Sequence, residues 1–338
     1  MEILTLMIAL LVILIGAEAF TNALEHLGER LGISEGVTGS IFAAVGTALP
    51  ETMVPIFAIF SSAGSLEVRH EVGIGAILGA PLMLSTLAFC LMAGMALRRR
   101  GWQGRLNPEP SGLARDLTWF TSVYVLGVLA VLLPSDWKMV RGSVSLLLVL
   151  LYGLYLLVTI RASPSLVEGG HGTEADHPLY LTKLWLPHHL AVILIQLGIG
   201  FVLIMIGAKG FVHGIQTLSN LINISALVLS LLIIPVATEL PEKVNSIIWI
   251  RRGRDTLAFG NITGAMVFQG SLLPALGILL TPWVPNKEIL TGMVMTLLAS
   301  TYLFLVVRTG SLKVYHLVLN GVFYVAFVVV VLMVGSEG

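Results

Sequence analysis

Two short runs hold the residues best able to do chemistry: Gly46-Thr47-Ala48-Leu49-Pro50-Glu51 and Val236-Ala237-Thr238-Glu239-Leu240-Pro241-Glu242. Each lies inside an apolar stretch long enough to cross a bilayer. Insertion scales put an Asp at the bilayer centre at roughly 2.5–3.5 kcal/mol, so an intramembrane carboxylate marks an ion or substrate pathway by default. Two in matching places strengthen that reading. In each run a proline, which has no N–H to donate, precedes the glutamate and is expected to disturb the helix, freeing carbonyls for neighbours or a bound ion. Interrupted helices at corresponding positions of two halves point to a transport site. The alternative is two carboxyls held protonated or salt-bridged inside a bundle.

The elements that must position these residues are membrane helices. Only 11% of the chain is charged, 56% is hydrophobic, and the mean hydropathy is +0.94. No water-soluble surface can be built from that composition, so the chain is an integral membrane protein; the expected partners are the lipid bilayer and inorganic cations. Net charge is zero, which argues against nucleic acid. The single cysteine, Cys90, permits no intrachain disulfide and reads as a small buried hydrophobe. The first apolar run lacks a basic start and a small-residue cleavage site, so it is expected to be a retained helix.

Hydropathy predicts ten spans, at 2–25, 36–61, 71–97, 117–134, 139–160, 189–218, 225–250, 256–280, 288–307 and 313–334. The organisation is a five-helix repeat over 1–160, a cytoplasmic linker over 161–187 rich in Gly, Ser and charge, and a second five-helix repeat over 188–338. At a constant offset of 191 residues, Gly16-Ala17 falls on Gly207-Ala208, Ile33-Ser34 on Ile224-Ser225, Thr47 on Thr238, and Leu49-Pro50-Glu51 on Leu240-Pro241-Glu242. Gly75-Ala76-Ile77-Leu78-Gly79-Ala80 is similar to Gly260-Asn261-Ile262-Thr263-Gly264-Ala265, with six extra loop residues in the first half. Because five is odd, the second half enters from the opposite face, which makes the repeat inverted. Loops after the odd-numbered spans carry thirteen Lys/Arg against four in the others. The positive-inside rule then puts both termini outside, with the plasma (inner) membrane as the expected location.

The paired Thr-x-Leu-Pro-Glu motifs, each followed by a glycine-rich helix, resemble the alpha repeats of the cation/calcium antiporter superfamily, nearest to its prokaryotic sodium/calcium exchangers. The resemblance covers the whole ten-span layout. It implies an all-helical secondary antiporter, not an enzyme, with no cofactor, moving Ca2+ against Na+ or H+ by alternating access. It also implies that the second and third helices of each half line a central pocket, while the first helix of each half slides past the rest. Glu51 and Glu242, with oxygens of Thr47 and Thr238, would then form the calcium cage, and Asn261 would be a retained polar residue of the third helix. Calcium's taste for six to eight oxygens suits that donor set.

Departures from the family pattern are informative. Ala76 stands opposite Asn261, the small hydroxyl between the motif threonine and leucine is Ala48 in one copy and Glu239 in the other, and Ala80-Pro81 and Ala265-Met266 replace Ser-Asn. In the family those oxygens belong largely to sodium sites, so the divalent cage looks kept and the sodium sites eroded. Glu239 joins the possible cation ligands. Lys243, four residues on, either pairs with Glu239 in the favourable helical order or enters the pocket as a coupling group. Glu18 and Lys209 sit in the two sliding helices, as state-balancing partners or as snorkelling ends. His70 and Glu71 open the third span, with Glu71 a further coupling or regulatory residue, and His188-His189 open the sixth as interfacial residues. Trp185, Trp249 and Trp283 read as interfacial belt residues. The run from Gly169 to His177 is open to a regulatory metal ion, although its spacing matches no established metal motif.

No His-Glu-x-x-His occurs, and the one Gly-x-Ser-x-Gly match, Gly32-Ile33-Ser34-Glu35-Gly36, lies between two apolar helical runs and lacks the strand–turn–helix context of a nucleophile elbow. The rival readings are a family member with altered cation specificity or proton coupling, and a transport-degenerate scaffold or sensor.

Overall fold

The computed structural model describes residues 2–30, 51–162, 178–184 and 187–335. Its elements are α1 (Glu2–Arg30), α2 (residues 51–59), α3 (Leu66–Met83), a π turn (Leu84–Ala88), α4 (Phe89–Arg100), α5 (Pro110–Val131) and α6 (Lys138–Ala162). A 3-10 turn (Tyr180–Leu184) precedes α7 (Leu190–Ile222), α8 (Ala226–Arg251), α9 (Asp255–Leu280), α10 (Lys287–Arg308) and α11 (Val314–Gly335). Among the described residues the chain is all-helical, and eight spans are long and apolar enough to cross a membrane. The span expected at 36–61 is described only from residue 51.

Local chemistry sets the helix ends. Glu109 caps α5 by accepting from the backbone N–H of Ser111 at 2.9 Å and of Gly112 at 2.6 Å, and Pro110 at the first turn needs no donor. Those two residues start the helix seven positions earlier than the hydropathy boundary. Asn286 caps α10 through Ile289 at 2.7 Å, and Ser225 caps α8 through Val228 at 3.3 Å. Gly253, at φ +77°, follows α8 where an L side chain would be strained.

The faces of the long helices invert the logic of a soluble bundle. On α1, Leu4, Ile8, Leu11 and Ile15 are exposed, whereas Leu6, Ala9, Ile13 and Phe20 are buried. A helix whose first four turns are this apolar, with half their aliphatic surface uncovered, is stable only where lipid covers it.

The helices cluster into two compact units, residues 1–69 with 153–218, and residues 70–152 with 219–338. In the first unit α1 and α7 run antiparallel along a glycine seam. A Cβ on Gly16 would lie 2.9 Å from the Ile204 nitrogen, and one on Gly207 would lie 2.9 Å from the Ile13 nitrogen. Likewise a Cβ on Gly16 would meet the Gly200 carbonyl at 3.0 Å, and one on Gly207 the Ala9 carbonyl at 3.0 Å. Shifting by 191 residues turns Ile13 into Ile204, Gly16 into Gly207 and Ala9 into Gly200. Each contact is therefore the reciprocal of another, the pattern that a twofold axis imposes on an interface. At one end polar residues take over. Buried Gln196 donates to Asn22 Oδ1 at 2.8 Å and to the Ala19 carbonyl at 3.0 Å, while its own Oε1 accepts from the Leu181 N–H at 2.9 Å. Asn22 Oδ1 also accepts from the Tyr180 N–H at 3.2 Å, so the 3-10 turn is fastened to both helices.

The second unit is held by side chains crossing between helices. Arg100 makes two hydrogen bonds to Asp255, at 2.6 and 2.7 Å, and Asn107 donates its N–H to the same carboxylate at 2.8 Å. Asn320, fully buried on α11, donates to the Ser85 carbonyl in the π turn at 2.7 Å, where the widened turn leaves that acceptor available.

Two expectations change here. The helix was expected to be disturbed before Glu242, but α8 is helical from Ala226 through Pro235 and Pro241 to Arg251. Pro235 deprives the Leu231 carbonyl of its i+4 donor, and that carbonyl lies where a Cβ on Gly79 of α3 would approach to 2.5 Å. Close packing by a residue without a side chain lets the helix carry the proline without ending. Trp283, expected in the interfacial belt, is 1% exposed. Its Nε1 donates to the Gly127 carbonyl at 3.2 Å and its ring fills the space above Gly277. A tryptophan beside Gly277 has a cleft to enter and a buried acceptor to meet, so it joins the core.

Candidate functional site

The second motif copy lies on one continuous helix, so spacing determines which residues share a face. Glu239, Glu242, Lys243 and Ser246 follow at i, i+3, i+4 and i+7 on α8, a polar stripe along an apolar helix. Thr238 is four residues before Glu242 on the same side. Its hydroxyl donates to the Ile234 carbonyl at 3.0 Å, which occupies the proton and leaves oxygen lone pairs for a cation. The side chains of Glu242 and Lys243 lie outside the described residues, as does the Glu239 to Lys243 pairing expected from sequence.

Glu239 is wholly buried, and its carboxylate accepts a hydrogen bond from the Gln269 side-chain amide of α9. An amide donor offsets part of the cost of burying a carboxyl group. Asn261, also on α9, donates to the Ser246 hydroxyl at 2.9 Å, which turns its own carbonyl oxygen into a candidate ligand. Two amides of α9 thus address two positions of the α8 stripe, seven residues apart. Facing α8 from α3, Gly75 and Gly79 allow backbone approach: a Cβ at Gly75 would meet the Ser230 Cβ at 2.5 Å. Ala76, at the place matching Asn261, is buried and carries no oxygen.

The first copy is described from Glu51 onward. Glu51 opens α2 and is buried at 8% exposure, and Thr47, Ala48 and Pro50 lie outside the described residues. Glu51 belongs to the first compact unit and the α8–α9 constellation to the second.

The remaining sequence-predicted residues sort differently. Glu18 of α1 is exposed and accepts from the Tyr180 hydroxyl, whose ring carries the Lys183 ammonium 4.9 Å from its centroid. Burial and then the hydrogen bond to Glu18 push the Tyr180 hydroxyl up to about 12. Lys209 on α7 is exposed, and Glu71 on α3 is half-buried. His188, read as interfacial, has His26 as its neighbour.

Sequence reasoning missed Gln269, Ser246, and the buried pair in which Thr263 donates to Asp116 at 2.8 Å, beside Arg115 at 3.0 Å. Ser246 was discoverable from the i+7 spacing. Gln269 carried no local signal beyond being an amide in an apolar run.

A family model, described as sodium/calcium exchanger protein, matches residues 1–161 and 192–333. The inner membrane protein YrbG of Escherichia coli strain K12 is 27% identical over 277 residues, covering 82% of this chain and 79% of the relative. Among solved structures, the H+/Ca2+ exchanger CAX superposes with a TM-score of 0.70 at 16% identity, covering 99% of this chain and 85% of that one. The sodium-calcium exchanger NCX_Mj superposes at 0.55 with 19% identity, covering 97% of each chain. These likenesses establish the fold.

Proposed function

Since the chain belongs to the sodium/calcium exchanger protein family, a family of transporters and not enzymes, we propose that it is a secondary-active antiporter moving Ca2+ against Na+ or H+. The observation that carries this reading is the pair of motif carboxylates in apolar segments, Glu51 and Glu242, related by the same 191-residue offset that makes the α1–α7 contacts reciprocal. That reciprocity supports two inverted five-helix repeats, and the Lys/Arg excess in the loops after odd-numbered spans supports both termini outside. It also supports alternating access in which α1 and α7 move as a pair.

In this reading Glu51 and Glu242 neutralise the divalent ion, and Thr47, Thr238 and Asn261 supply neutral oxygens. Glu239 and Lys243 carry opposite charges, so adding both leaves the net charge facing Ca2+ at that of two carboxylates. Binding therefore still matches a divalent cation. A second reading, proton rather than sodium coupling, is favoured by one feature: Ala48, Ala76, Ala80 and Met266 offer no side-chain oxygen, while Glu239 adds a buried titratable group.

Reconstituted vesicles test both. Ca2+ efflux should require a counter-ion gradient, respond to pH, and rise only shallowly with Na+. Flux without any counter-ion identifies a channel, absence of flux a scaffold, and a steep multi-sodium dependence at fixed pH removes the proton-coupled reading.

A further inference from the structure

Two histidines that are distant in sequence meet at the polar end of the α1–α7 seam. His26, near the end of α1, is 7% exposed, and His188 lies on the approach to α7. His188 Nε2 is 3.2 Å from His26 Nδ1, with ring centroids 4.9 Å apart and planes inclined at 70°. The two nitrogens therefore point at each other in an edge-on arrangement. Such a contact needs one N–H and one lone pair, so at least one ring is a neutral imidazole and a potential metal ligand.

The separation is also that of two ligands on one metal ion. Zinc–nitrogen bonds of about 2.0–2.1 Å at tetrahedral angles place two ligating nitrogens roughly 3.3 Å apart. A metal ion can replace the hydrogen bond once the donating ring moves its proton to its other nitrogen and both rings tilt by roughly 35° to aim their lone pairs at one point off the N–N line. Imidazole nitrogen selects borderline ions such as Zn2+ and Ni2+ over Ca2+, which takes oxygen. We propose that His26 and His188 form a two-histidine site for a divalent transition-metal ion of the zinc or nickel class.

Among the described residues no third His, Cys, Asp or Glu side chain converges with these two, so the described protein ligands number two. His188 is solvent-exposed and gives water access. Two protein ligands and open positions make a reversible site, in contrast to a closed structural one with four. Its location gives it a consequence. The chain entering α7 is joined to α1 next to the Asn22–Gln196 contact, so a bound ion clamps the connection between the halves to the first helix. The 191-residue offset sends His26 to Thr217, so this clamp has no counterpart at the other end of the seam.

The test uses full-length, untagged protein in detergent, titrated calorimetrically with Zn2+ and with Ni2+ in the presence of Ca2+, with melting temperature as a second readout. One ion should bind per chain and raise the melting temperature, with Ca2+ unable to compete. His188→Gln, at an exposed position that leaves folding intact, and His26→Ala should each weaken binding by about tenfold or more. His189→Ala should bind as wild type does. Wild-type affinity in His188→Gln, or no Zn2+ or Ni2+ binding to the wild-type protein, overturns the proposal.

Discussion

The two compact units are cohesive for different reasons. In the first, α1 and α7 meet backbone to backbone along Gly16, Gly200 and Gly207, with the Asn22–Gln196 amide contact at one end. In the second, long polar side chains cross between helices: Arg100 to Asp255, Gln269 to Glu239, Asn261 to Ser246, Asn320 to the π turn. A smooth glycine seam resists change through sterics and tolerates rigid-body movement. A network of buried hydrogen bonds fixes register, because every broken bond leaves a group unsatisfied. The second arrangement suits the side of a binding site that must hold its geometry, and the first suits a pair of helices that moves together.

The largest effect should come from the one feature that both units share, a motif glutamate. Glu51→Gln or Glu242→Gln should each abolish Ca2+ transport while the protein remains folded and inserted; wild-type uptake by either variant breaks the assignment. Next are the glycines. Gly200→Ala in the seam and Gly79→Ala in the second unit force a methyl to within 2.8 and 2.5 Å of backbone oxygen, and overpacking of this kind costs about 1–3 kcal/mol. Melting curves should fall in both, whereas Gly198→Ala, which meets nothing within 4 Å, should match wild type.

The polar end of the seam is open to a cycle. Asn22→Leu or Gln196→Leu alone breaks the amide–amide bond and strands the backbone N–H that the lost amide accepted from, at about 1–3 kcal/mol, and the double variant should be less damaged than the sum. Strict additivity would remove the idea that these amides act as one contact. Lys243→Met should raise divalent affinity and flatten its dependence on pH if the lysine competes for Glu242 and Glu239. Identical curves across pH retire that coupling and leave a stabilising pair.

The smallest effect is expected at the Glu109 cap, where losing the side chain costs about 1 kcal/mol. Its hydrogen bonds to Ser111 and then Gly112, aided by Arg115, hold the carboxyl below its ordinary 4.5. A lowered folded value means that the stabilisation is complete above 4.5 and is lost as pH falls through the folded value. The melting difference between wild type and Glu109→Ala should therefore persist at neutral pH and vanish in acid.

Much of the architecture was legible because membrane spans are written in composition. The apolar runs, the polar linker and the 191-residue offset are one-dimensional facts, and the bilayer leaves helices as the solution for such segments. The motif glutamates were legible for the same reason, since a carboxylate in an apolar run stands out. Helix continuity was not, because whether Pro235 and Pro241 end α8 depends on what packs beside them, and Gly79 is distant in sequence. Trp283 was misplaced for a similar reason: its cleft is made by Gly277 and its acceptor by Gly127.

The sequence by itself determined that this chain is helical, membrane-embedded and internally repeated, with carboxylates in matching places, because hydropathy and spacing act locally along the chain. Tertiary structure alone decided that Gln269 serves Glu239, that Asn261 serves Ser246 and that His26 meets His188. Such pairings depend on which helix faces which, and in lipid, where hydrophobicity does not distinguish one helix face from another, that choice falls to close packing and hydrogen bonding between segments far apart in sequence.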